Sequence, residues 1–88
     1  TDIVREWGLQ VQPNPSAGQF NILLRQAPAG DIKARVYDAS GRCIRDWMFE
    51  TPGHGFLESV DLSGLPAGVY WLQLANGTRT GAVKLVLF

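Results

Sequence analysis

The 88-residue sequence holds one cysteine, one histidine and one methionine. A single cysteine cannot close an internal disulfide, and one Cys with one His falls short of the usual zinc ligand sets. A nucleophilic thiol needs a base beside it, but Cys43 follows a turn while His54 sits in a separate Gly-Pro loop. Paired carboxylates, a Ser-His-Asp set and a phosphate-cradling glycine loop are also missing. No catalytic, cofactor-binding or metal-ligating residue is assigned, and the chain reads as non-enzymatic. Charge of one sign is lacking too. Eight Lys and Arg balance eight Asp and Glu, which argues against nucleic acid or an anionic membrane as the main partner. No apolar run is long enough to span a bilayer. No secretory signal opens the sequence, so a secreted destination makes this chain a fragment of a larger exported protein. No window carries a sustained helical apolar stripe with a cap.

What is present is apolar and punctuated. The chain is 45% hydrophobic and 18% charged, with three Trp, four Phe and two Tyr, enough to build a core and to argue against disorder. Ten glycines and five prolines fall between apolar runs rather than inside them. Alternation marks seven strands: Leu9–Val11, Phe20–Leu24, Ile32–Tyr37, Ile44–Phe49, Phe56–Leu62, Val69–Leu74 and Ala82–Phe88. Tyr70, Leu72 and Leu74 share one face; Val69 and Trp71 share the other. Seven short strands at roughly ten-residue spacing predict an all-β, immunoglobulin-like antiparallel β-sandwich with Greek-key connections. Residues 1–8 read as a linker or lead-in strand, and residues 9–88 as the domain. Cys43 is expected to be a small buried hydrophobe, and the tryptophans are expected to be core. Arg25, Lys33, Arg35, Arg42 and Arg45 are read as outward-facing strand charges.

The turns carry mechanisms. In Asp38-Ala39-Ser40-Gly41-Arg42 the aspartate can accept a backbone N–H two residues on, and Gly41 permits a tight hairpin with a bulge. Asn76-Gly77 reads as a type I′ hairpin turn, although Asn76-Gly77-Thr78 is also a glycosylation sequon. Between Asp61 and Tyr70, Pro66 and Gly68 forbid regular structure. Leu62 and Leu65 can plug the end of the core there, and Tyr70 stands where a tyrosine corner belongs, its hydroxyl reaching back to the backbone.

Four segments in order carry a resemblance: Pro13-Asn14-Pro15 with Gly18, then Val36 to Arg42, then Asp61 to Tyr70, then Lys84-Leu85-Val86. Together they resemble the type A C-terminal sorting domain of the type IX secretion system of Bacteroidetes. Each motif is weak alone; the order and spacing are specific. The resemblance implies a signal at the C-terminal end of a larger cargo protein, recognised in the periplasm by the outer-membrane export machinery. It implies removal by a sortase-like peptidase, cutting near residues 1–8, and delivery of the cargo to the cell surface or medium, with no membrane insertion. The recognition candidates carried over are Pro13, Asn14, Pro15, Gly18, Asp38, Gly41, Arg42, Leu65, Pro66, Gly68, Lys84, Leu85 and Val86, with Leu62 and Tyr70 as the structural corner. The prolines and glycines also satisfy simple turn geometry. Lys84 interrupts an apolar β-former, as a gatekeeper does, and that strand is also a candidate handle for strand addition.

A second reading, from another class, is an immunoglobulin- or fibronectin-like accessory module of a secreted enzyme. It would bind carbohydrate or a neighbouring domain through Trp7, Trp47 or Trp71. A third is a structural spacer.

Overall fold

A computed structural model of the chain describes residues 3–88. One helical turn, α1 (Ile3–Glu6), precedes seven strands: β1 (Gln10–Gln12), β2 (Gln19–Leu24), β3 (Gly30–Tyr37), β4 (Cys43–Thr51), β5 (Phe56–Asp61), β6 (Gly68–Asn76) and β7 (Arg79–Leu87). They form two antiparallel sheets, ordered β1-β2-β5 and β4-β3-β6-β7. The expected all-β sandwich is what the chain builds. Its cause is the period-2 alternation. Phe20, Ile22 and Leu24 face Ile32, Ala34, Val36, Leu72, Leu74 and Leu85 in one apolar core, all of them buried. The intervening positions go outward.

Four local expectations change. The lead-in is neither strand nor loose linker: Trp7 N donates to Ile3 O at 2.8 Å and Leu9 N to Val4 O at 2.8 Å. This single turn is too short to leave a periodic stripe in the sequence. It nevertheless packs into the core, with Ile3 fully buried and Trp7 nearly so. Ile3 lies directly over Gly81, where a Cβ would fall 2.5 Å from Ile3 Cγ1. Arg79 and Glu6 form an ion pair beside it. Thr1 and Asp2 lie outside the described residues.

Cys43 is exposed, not buried. It opens an edge strand opposite Tyr37, after a register shift between Val36 and Tyr37, and that shift takes it out of the inward alternation. The tryptophans divide: Trp7 is core, Trp47 is half-buried against the core, and Trp71 is 44% exposed. Finally, the β6–β7 turn is not type I′. Asn76 pairs with Arg79, so Gly77 and Thr78 are the central residues. Gly77 alone has positive φ, at 63°, the arrangement of a turn with glycine at its first central position. Asn76 instead donates through Nδ2 to Asp31 O at 3.1 Å, tying the turn to β3.

Candidate functional site at one end of the sandwich

The strand registers set all four sequence segments at one end. Gln19 pairs with Asp61, Tyr37 with both Cys43 and Trp71, and Gly68 with Leu87. The β1–β2 loop, the β3–β4 hairpin, the β5–β6 crossover and the close of β7 therefore lie together. The turn α1 is at the other end, where Trp7 O accepts from Arg25 N and Gln26 N just past β2.

The β1–β2 loop is bonded to the outer edge of β7. Asn14 spans it with its side-chain amide: Nδ2 donates to Lys84 O at 2.7 Å, and Oδ1 accepts from Val86 N at 2.9 Å. Ser16 continues with its backbone, its N donating to Val86 O and its O accepting from Phe88 N, both at 3.0 Å. Four hydrogen bonds thus occupy the edge that an added strand would use, so a partner strand must displace this loop to pair there. Pro13 and Pro15 are exposed and flank the clamp. Gly18 is buried, and a Cβ there would fall 2.8 Å from Ser63 Cα. Its O accepts from Leu62 N at 2.7 Å, so the loop, the crossover and β7 form one bonded unit.

The crossover behaves as its residues require. Leu62 is fully buried and Leu65 half-buried against the core. Tyr70 Oη donates to Pro66 O, four residues back, at 2.5 Å, which is the expected tyrosine corner. In the β3–β4 hairpin, Gly41 N donates to Asp38 O at 2.9 Å, and Asp38 N to Arg42 O at 2.9 Å. Between hairpin and crossover lies a cleft of 310 Å³ lined by Asp38, Arg42, Ile44, Leu65, Pro66 and Val69, among others.

Two features were not singled out in the sequence. Ser16 is buried; its Oγ donates to Gln19 O at 2.7 Å and accepts from Gly18 N at 3.1 Å. A serine two residues before a glycine, in a proline-bounded loop, is a turn signal that would have found it. The second is a repeat, Asp38-Ala39-Ser40-Gly41 and Asp61-Leu62-Ser63-Gly64. Asp38 Oδ1 accepts from Ser40 N at 3.0 Å, Ser40 Oγ at 2.6 Å and Arg42 N at 3.0 Å. Asp61 Oδ1 accepts from Ser63 N at 2.9 Å and Ser63 Oγ at 2.5 Å. These bonds favour the ionised form and hold both carboxyls below their ordinary value: the Ser40 hydroxyl leads at Asp38 and the Ser63 hydroxyl at Asp61.

Not every candidate reaches the surface. Leu85 is fully buried, so in the folded domain it packs rather than meets a partner. Arg42, Pro66, Gly68 and Lys84 are exposed, and Val86 is half-buried. Among the described residues no group of three or more His, Cys, Asp or Glu side chains is placed to hold a metal ion. No helix among the described residues is long and apolar enough to cross a membrane.

None of the curated proteins compared with the chain matches it. The family model described as "Secretion system C-terminal sorting domain" matches residues 10–87, a span that includes all four converging segments. That family supplies C-terminal signals for type IX secretion, and this chain belongs to it.

Proposed function

We propose that the domain is the address by which a larger cargo, attached on its N-terminal side, is carried from the periplasm across the outer membrane, and that the export machinery reads the end of the sandwich where the four segments meet. The observation that carries this reading is their convergence. Segments some 70 residues apart, such as Asn14 and Lys84, share hydrogen bonds, and the crossover bridges them to the hairpin. A partner touching that end touches every segment at once.

The processing step fits the other end. A sortase-like peptidase would cut upstream of Ile3. From Ile3 the chain is a helical turn followed by the buried Trp7 and Leu9, and a peptidase needs an extended, accessible strand of substrate. The domain is then the peptidase's substrate, and the cargo goes to the surface or medium.

The test fuses residues 1–88 to a periplasmic reporter in a type IX-competent strain. Export of the reporter is the expected result; a reporter that stays in the periplasm sinks the reading. Removing Lys84–Phe88, which deletes the strand end that Asn14 and Ser16 hold, should abolish export.

A further inference from the structure

The outer face of the four-stranded sheet carries an apolar patch that the core does not require. Pairing aligns Tyr37, Trp71 and Lys84 in one row across β3, β6 and β7, and the next row sets Val69 beside Val86. Tyr70, Leu72 and Leu74 already give β6 its inward side, so Val69 and Trp71 add nothing to the interior. They remain 39% and 44% exposed. The flanking row is polar: Arg35 lies opposite Gln73 and Asp46 and pairs with Asp46 at 3.7 Å.

The patch is continuous with the motif end, because Val69 also lines the cleft between hairpin and crossover. Its two cations differ in how they are balanced. Arg42 stands at the cleft with its side chain 77% exposed, but its Nε is paired with Asp38 Oδ2 at 3.4 Å, while the other oxygen of that ionised carboxylate takes Ser40 and the Arg42 backbone. On the opposite flank, Lys84 is exposed and takes part in none of the ion pairs among the described residues.

We infer that this surface, Trp71 and Val69 bordered by Lys84, docks an acidic, apolar segment of a protein of the export apparatus; the inference rests on the sorting reading above. Tryptophan with neighbouring apolar contacts is the usual energetic centre of a protein interface, and rim charges select the partner's sign. Lys84, cross-strand from the indole and in none of the ion pairs among the described residues, selects a carboxylate. Trp71 lies outside the segments that carry the family resemblance, so it would set which apparatus protein binds rather than whether the domain folds.

The experiment uses the full 88-residue domain fused to the reporter, unaltered and as Trp71→Ala, Val69→Lys, Lys84→Glu and Lys84→Arg, reading exported fraction in cells and thermal midpoint of the purified fusions. Trp71→Ala should lower export about tenfold, the scale of an interface anchor, with an unchanged midpoint. Lys84→Glu should lower export, and Lys84→Arg should retain it. Should Trp71→Ala fail to fold, Val69→Lys decides by the same readout. Wild-type export of the folded patch variants overturns the inference. So does saturable binding of polygalacturonate that quenches Trp71 while Trp71→Ala is exported normally, since the patch is then a sugar platform. An unaltered fusion held in the periplasm overturns the sorting reading itself, and this proposal with it.

Discussion

Asp38 and Asp61 do the same work at two corners. Each carboxylate takes the N–H and hydroxyl of a serine two residues on, so each turn is closed by a charged acceptor. Both groups are held below their ordinary value of 3.8 in the folded chain. Folding therefore favours their ionised forms, and their contribution is whole above that value. It is lost as pH falls through 3.8 towards the lower folded values. Chemical denaturation should thus give constant stability contributions from these turns at pH 5 to 7 and a decline below about pH 4. The decline should be smaller in Asp38→Asn, whose turn no longer titrates. Gly18 is a harder constraint. Its would-be Cβ meets the backbone of Ser63, which cannot rotate aside as a side-chain tip can. Gly18→Ala should cost about 2–3 kcal/mol by forcing the loop off the crossover, read as a lowered denaturation midpoint with unchanged slope.

At the scale of elements, the informative pair is the β1–β2 loop and β7. A terminal apolar strand at a sheet edge invites pairing with other chains, and the Asn14–Ser16 stretch fills the edge instead. Asn14→Ala removes two of the four bonds while leaving Ser16's in place. Hydrogen exchange of the Val86 amide should quicken strongly, whereas Leu72 and Leu74 in the sheet centre should hardly change. Most strands were legible because period-2 alternation is a property of short windows: Tyr70, Leu72 and Leu74 declare their face in five residues. The tyrosine corner was legible for a similar reason, since its partner Pro66 is only four residues away. The Asn14 clamp was not, because its partners lie about 70 residues on and no local pattern encodes them. Cys43 and the Asn76 turn were misread where one residue of register decides the outcome. A bulge at Val36/Tyr37 and a turn centred one residue later each reverse the reading from neighbours alone.

For the whole molecule, the N-terminal turn matters more than its four residues suggest. Ile3, Trp7 and Leu9 close the end of the core away from the motif segments, although the family model begins at residue 10. A domain of this size has little burial to spare. A chain starting at residue 9 loses two large buried side chains and should be less stable by about 3 kcal/mol or more. That shift should be plain in a thermal scan, at several degrees per kcal/mol for a chain of this length. A truncated chain with the full-length midpoint would show the turn to be ornamental. This cap was invisible in the sequence because one helical turn gives no periodicity, and because Gly81, its seat, is distant in the chain.

The separation of the two ends also has a mechanical meaning. On the function proposed above, cargo would join beside α1, with the bonded cluster of loop, crossover and β7 opposite. A haul on that cluster against the drag of a folded cargo runs along the strands, not across them. Such a load is carried by many ladder bonds in parallel instead of being opened one at a time from an edge. Forced unfolding is governed by the rate of crossing the unfolding barrier rather than by net stability. A small, modestly stable sandwich can therefore serve as a tow-hook, because the direction of the pull does for it what a larger core would otherwise have to do.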